Sequence, residues 1–275
     1  MTEFYAAGKR FPLNRTYVMG ILNVTPDSFS DGGKYFDPEK AVCHAVEMEA
    51  QGVDIVDIGG QSTRPGSVRI SPEEEWARIE NVVKAVAVKT NLAVSIDTFY
   101  PEVAEKALKA GAHIINDVTG FAPEMWRAVE NTDCGCIVMH TGDPDDLNGA
   151  GGDILMRVRA FFEKKTTEAE QHGVNKNRLC FDPGIGFGKT NEENFALIAN
   201  PEKIRVPGTA LLMAASRKRV IGAVCGNPPF EDRMAGTVAA HTASILFGAD
   251  MVRAHDTFEA VQAARVADAI KQFRK

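Results

Sequence analysis

The sequence predicts an α/β protein of the single-domain (β/α)8 TIM-barrel class, and three observations lead there. A short apolar run, a loop and an amphipathic segment recur as a unit, giving eight strand candidates in all. The 275 residues suit one barrel, which commonly fills a single domain of this size, here with a core from about residue 16 to 273. No GxGxxG occurs, which counts against the dinucleotide-binding form of the runner-up architecture, an open doubly wound sheet.

The stretch Val18–Gly33 organises the rest. It begins as an apolar run and ends in a polar, Gly/Pro-containing segment, the form of a buried parallel strand delivering a functional loop. Asn23 stands where the strand stops. Its amide oxygen could take a hard cation such as Mg²⁺, and an ordinary turn role fits it equally well. Thr25–Gly33, with Pro26 and Gly32–Gly33, reads as a mobile loop with its own hinges.

Asp37–Pro38 then opens a helix with Ala41, Ala45 and Met48 on one face, closed by Gly52. Val53–Ile58 is strand two, followed by the loop Gly59–Val68. Ser71–Glu74 reads as a capping box with Pro at the first helical position, and Trp76, Ile79, Val83 and Val86 line the buried face. Leu92–Ile96 is strand three, with a helix from Pro101 to about Lys109. His113–Ile115 is strand four, with a short helix over Pro123–Glu130. Cys136–Met139 is strand five, and the Gly- and Asp-rich loop His140–Gly152 follows it. A helix from Ile154 to Gln171 leads to strand six, Arg178–Phe181. Asn194–Ala199 lies in a helix, and Thr209–Ala214 is strand seven. A broken helical region covers Lys218–Gly248, Met251–Val252 is strand eight, and Thr257–Phe273 is the last helix.

Apolar residues make up 44% and charged residues 25%, ordinary for a soluble globular protein. No apolar run approaches the roughly 20 residues that span a bilayer, so no membrane partner is expected. The N-terminus lacks the apolar core of a secretory signal. Five cysteines form no CxxC pair, and Cys134–Gly–Cys136 leads into an apolar run as strand packing; a reducing cytoplasm fits. A net charge of −6 argues against a general nucleic-acid binder, while leaving room for a local basic cluster that attracts an anionic substrate.

Barrel active sites lie at the C-terminal ends of the strands. Those positions hold Asn23; Thr63 and Arg64; Asp97; Asn116 and Asp117; Met139 and His140; Asp182; Ser216, Arg217 and Lys218; and Arg253 and His255. A turn or capping role explains any one of these better than chemistry does, but it is a poor explanation of the whole ring. Arg64, Arg217, Lys218, Arg253 and His255 would make a cationic mouth suited to a phosphorylated or carboxylated substrate. Asp97, Asp182 and Asn116 supply acceptors, and one donating amide, that match a heterocycle edge bearing ring N–H and amino groups.

The runs GILNVTPDSFSDGG, DIGGQSTRPGS, SIDT, HIINDVTG, FDPGIGFGK, SRKRVIG and RAHD resemble, in order, the successive motifs of the dihydropteroate synthase family. The resemblance covers most of the chain, from about Met19 to Asp256. It implies a barrel enzyme of folate synthesis that joins 7,8-dihydropterin-6-ylmethyl diphosphate to 4-aminobenzoate with Mg²⁺, giving 7,8-dihydropteroate and diphosphate. Carried over by position, it implies that Asp97, Asn116, Asp182 and Lys218 hold the pterin, with Met139 among the substrate-binding residues. Arg253 would lie over the pterin face and, with His255, bind the diphosphate, which Asn23 would reach through Mg²⁺. Thr63, Arg64 and Pro65 would close over diphosphate and aminobenzoate, and Ser216 and Phe187 would shape the aminobenzoate site. Arg64, Asp97, Lys218, Arg253 and His255 are the expected catalytic residues, and a homodimer is implied. Gln61, Ala254 and the stretch after His140 depart from the commonest family pattern. The rival readings are a pterin-dependent methyltransferase, which would have no use for Arg64 or the 216–218 and 253–255 groups, and a pterin-binding paralogue that has lost catalysis.

Overall fold

The computed structural model describes residues 2–25, 38–62, 68–142 and 152–273. Strand β3 (Tyr17–Asn23) is apolar on both sides, as a strand between a barrel interior and a helix layer must be. Beside it, in parallel, run β4 (Ile55–Gly59), β5 (Ala93–Asp97), β6 (Ile114–Asp117), β7 (Gly135–Met139), β8 (Leu179–Asp182), β9 (Ala210–Met213) and β10 (Met251–Ala254). The last pairs with β3 and closes an eight-stranded barrel. The helices around it are α1 (Pro38–Gln51), α2 (Pro72–Lys89), α3 (Pro101–Lys109), α4 (Pro123–Val129), α5 (Ile154–Gln171), α6 (Asn191–Ala199), α7 (Pro201–Ile204), α8 (Arg219–Val224), α9 (Met234–Leu246) and α10 (Thr257–Lys271). The expected barrel is therefore the observed one. The broken region after Lys218 resolves into α8, a 3₁₀ turn at Phe230–Arg233, and α9.

One local expectation needs correction and another an addition. Ser71 Oγ accepts from Glu74 N at 3.2 Å, one arm of the expected capping box, whereas the reciprocal box stands at α6, between Thr190 and Glu193. Trp76 packs half-buried against the core beside Ile79, Val83 and Val86, as expected, but the same face also buries Glu75, whose Oε2 accepts from Thr98 Oγ1 at 2.8 Å. Asp37, the expected cap of α1, lies outside the described residues.

A feature that the sequence reading passed over lies ahead of the barrel. Strands β1 (Glu3–Ala6) and β2 (Lys9–Pro12) form an antiparallel hairpin. Its turn sets Ala7 and Gly8 at φ 46° and 83°, the left-handed pair that suits a two-residue hairpin. Ala7 N donates to Asp133 O at 2.8 Å and Tyr5 Oη to Asp133 Oδ2 at 2.9 Å, tying the hairpin to the start of β7. A Cβ on Gly135 would run into the Phe4 ring, so glycine there permits the approach. Phe4 and Phe11 join Met19, Ile55, Ile114, Ile137 and Met251 in one buried cluster. This cluster is separate from the larger one between strands and helices. The hairpin is thus a floor to the barrel, and the core begins before residue 16.

The period-2 alternation of strands does the rest. Ile55, Ala93, Ile114, Ile137, Cys180 and Met251 fill the apolar lower layer of the interior. Two residues further along the same strands, and so on the same inward side, stand Asp57, Ser95, Asn116, Met139, Asp182 and Arg253. The apolar floor and the polar upper layer share one parity. Among the described residues no helix is long and apolar enough to cross a membrane.

Candidate active site

The upper layer is organised by Asp57, a carboxylate in the middle of the apolar strand IVDIG. It is fully buried and takes three donors: Ser95 Oγ at 2.6 Å, Asn116 Nδ2 at 3.0 Å and Arg253 Nε at 2.6 Å. Arg253 Nη2 turns to Asp97 Oδ2 at 2.9 Å, so one guanidinium bridges two carboxylates. Asp97 Oδ1 is buried with no hydrogen-bond partner. Burial pushes the Asp97 carboxyl up to about 7; Arg253 opposes that rise, and Asp57, Glu75 and Asp117 add to it.

The opposite wall comes from β8 and the loops after β8 and β9. Asp182 Oδ1 accepts from Gly184 N at 2.7 Å. Its pKa is raised, by burial first, while the nearby Lys218 ammonium pulls it down. Burial pushes Lys218 down to about 8 against the attraction of Asp182. Lys218 Nζ donates to the Ile185 carbonyl and lies 4.8 Å from the Phe187 ring centre, so Phe187 faces the site rather than the core. Arg217 takes φ 53°, a strained conformation for a side chain of its size. It is held there by Nε to Asp256 Oδ2 at 2.9 Å and by its stack on Phe230.

Ser216 and His255 meet at the rim. Ser216 Oγ lies 2.9 Å from His255 Nδ1 and accepts from the His255 backbone N–H at 3.0 Å. Three members of the expected ring have other work. Arg217 is committed to Asp256 outside the mouth. Asp117 faces the following turn, accepting from Thr119 N and Thr119 Oγ1, both at 2.7 Å, and from Phe121 N at 2.9 Å. His140 is buried edge-on against Phe161, and burial pushes its pKa down to about 3, which keeps it neutral. For these three the turn, cap or packing role is the correct one.

Asn23 closes the circle. A Cβ built on Gly59 would stand 3.9 Å from Asn23 Oδ1 and 3.9 Å from Asp97 Oδ2, so two oxygens converge over a glycine. Among the described residues no group of three or more His, Cys, Asp or Glu side chains could hold a metal. Asn23 Oδ1 is the oxygen at this strand end that a hard cation using few protein ligands would take. Thr63, Arg64 and Pro65 lie outside the described residues, as do most of the loops 25–33 and 140–152.

Residues 19–255 match the family model of pterin binding enzymes. A dihydropteroate synthase of Clostridium beijerinckii is 43% identical over 259 residues, 93% of this chain and 94% of that protein. The chain belongs to the dihydropteroate synthase family. Its barrel superposes on the Xanthomonas albilineans dihydropteroate synthase with 4-aminobenzoic acid at a TM-score of 0.91, with 40% identity over 98% of this chain and 99% of that one. It superposes on the Burkholderia cenocepacia dihydropteroate synthase complexed with 7,8-dihydropteroate at 0.89, with 35% identity over 99% and 97%. Within this dihydropteroate synthase fold, Asn23, Asp97, Asn116, Met139, Asp182 and Arg253 stand at or next to the C-terminal ends of their strands, and Phe187, Ser216, Lys218 and His255 follow β8, β9 and β10. Sequence reasoning missed Asp57, and also Lys189, whose ammonium donates to the His140, Gly184 and Phe187 carbonyls at 3.0, 3.1 and 3.0 Å. A lone carboxylate inside an apolar strand was the available signal for Asp57. Lys189 sits in a Gly-rich run where the sequence offers no such contrast.

Proposed function

We propose that this chain catalyses the condensation of 7,8-dihydropterin-6-ylmethyl diphosphate with 4-aminobenzoate to give 7,8-dihydropteroate and diphosphate. The observation that carries the reading is a buried acceptor wall facing two cations. Asp97, Asn116 and Asp182 are set to take the N–H and amino groups of a pterin, while Lys218 and Arg253 stand over the same space. Phe187 and Ser216 border the adjoining place for the aromatic amine. Thr63, Arg64 and Pro65 are assigned to the lid over diphosphate and aminobenzoate by their match to the family motif.

In the reaction the bond between the pterin methylene and the diphosphate oxygen breaks, and its electron pair leaves with diphosphate. The arylamine lone pair forms the new C–N bond, and the amine proton passes to solvent. Arg64, Arg253 and His255 stabilise the negative charge that grows on the leaving group. Asp97 faces the electron-poor methylene that remains. Mg²⁺, held by Asn23, would add further positive charge beside the diphosphate. No cysteine takes part.

The other attributes belong to the same reading. The five cysteines stand as free thiols, which supports a reducing cytoplasm, to be checked by cell fractionation. Phe258, Val266 and Ile270 on α10, with Phe247 after α9, expose apolar surface of the kind a second copy covers. A homodimer is accordingly proposed, and a monomer in sedimentation velocity would remove it. The deciding experiment is incubation with both substrates. Dihydropteroate and diphosphate should appear in equal amounts. Methyl transfer instead of condensation would establish the methyltransferase reading, and pterin binding without product would establish the inactive paralogue.

A further inference from the structure

We infer that Lys189 is a positioning residue, an ammonium clamp that joins the ends of β7 and β8 and sets Asp182 and Phe187 toward the pterin. The inference rests on the functional reading above. Lys189 Nζ donates to three backbone carbonyls: His140 O at 3.0 Å, Gly184 O at 3.1 Å and Phe187 O at 3.0 Å. Three donors on one nitrogen is the full capacity of an ammonium, and a neutral amine has only two. Each carbonyl belongs to a segment that carries the site. His140 N donates to the Asp182 backbone carbonyl at 2.8 Å, and Gly184 N donates to the Asp182 carboxylate, so the clamp grips one residue bonded to the Asp182 backbone and one bonded to its side chain. Phe187 N donates to Gly184 O at 3.1 Å, closing the loop on which the Phe187 ring meets Lys218. A Cβ on Gly184 would collide with the His140 carbonyl, so the two loops are as close as backbones come.

The clamp sits in a charged neighbourhood. Asp182 on β8 and Glu193 on α6 favour its positive form, while Lys218 and Arg157 oppose it and His140 beside it is neutral. Burial is the largest influence and brings the Lys189 ammonium down to about 7. A neutral amine would keep two of the three bonds, so the clamp should loosen as Lys189 loses its proton. Lys189 does not reach substrate in this reading; it acts through Asp182 and Phe187.

The test begins with wild-type enzyme and both substrates, because absence of dihydropteroate there overturns the functional reading rather than the clamp. Given product, Lys189→Met keeps the length of the side chain and removes every donor. KM for the pterin diphosphate should rise about tenfold or more while kcat changes by less than about threefold. Lys189→Arg, which restores the charge, should recover most of the loss. A folded Lys189→Met enzyme with wild-type KM overturns the proposal, and so does an arginine variant no better than methionine. A second measurement needs no variant at position 189. Hydrogen exchange of the Phe187 amide, corrected for its intrinsic rate, should lose protection between about pH 6 and 9. The loss should persist in Lys218→Met, since Lys218 titrates near 8 in the same window. Constant protection across that range overturns the pH dependence of the clamp.

Discussion

Asp57→Asn is the sharpest probe of the polar layer. The wild-type carboxylate accepts from Ser95, Asn116 and Arg253 with no exposed surface. An amide in its place keeps one accepting oxygen and turns an NH2 group against at least one of those donors. Losing a charge-assisted hydrogen bond costs about 1.5–3 kcal/mol, and a buried donor left unsatisfied costs about 1–3 kcal/mol. The combined loss should be about 3–5 kcal/mol at neutral pH, the range for breaking a buried ion pair from one side. The pH dependence has a definite sign. Asp97 is raised to about 7, above the value of about 4 for an unfolded aspartate, so between these limits the native state holds a proton that the unfolded state has lost. Stability from this group is greatest below about pH 4 and falls as pH rises through 7. Neutralising residue 57 removes a negative neighbour and leaves Arg253 to answer Asp97 alone, so the Asp97 carboxyl should move down and the window should narrow. Urea denaturation followed by circular dichroism from about pH 4.5 to 8 should show a deficit that is largest at the acid end. A variant within about 0.5 kcal/mol of wild type at neutral pH, or a deficit that widens toward alkaline pH, would refute the reasoning.

Diphosphate release should require Mg²⁺, and Asn23→Ala should weaken that requirement; full activity in excess chelator would remove the metal from the reaction. Asp182→Asn sets a donor against the donors of the pterin and should weaken its binding by roughly 2–5 kcal/mol, as when one partner of a buried charged pair is lost. Unchanged affinity by calorimetry would take Asp182 out of the site. Sulfonamides, aromatic amines whose sulfonyl group replaces the carboxylate, should compete with 4-aminobenzoate, with binding tightened by about 1–3 kcal/mol when pterin and diphosphate are already present. Inhibition that does not diminish as aminobenzoate rises would refute the pocket assignment.

The barrel was legible because its strands are short apolar runs with polar residues at their C-terminal ends, and that rule alone singled out Asp97, Asp182, Ser216, Lys218 and Arg253. It failed where position along the chain does not reveal direction. Asp117 follows Asn116 by one residue, so strand alternation turns it away from the interior, and it caps a turn. Arg217 stands between two residues of the site, and its left-handed backbone sends its guanidinium to Asp256. Asp57 escaped for the converse reason: it lies two residues before the strand end, in a layer that a reading of strand ends does not sample. Lys189 escaped because its partners are backbone carbonyls, which no residue pattern records.

The hairpin at the barrel base makes the molecule a cup rather than a tube. Phe4 and Phe11 are buried at the lower end, with the apolar layer packed above them. The polar layer with Asp97 lies toward the other end, where Asn23, Ser216 and His255 stand. A cup filled from its polar end seats the molecule at the depth of Asp57 and Asp182 first, so its architecture predicts ordered binding, which product-inhibition kinetics would check.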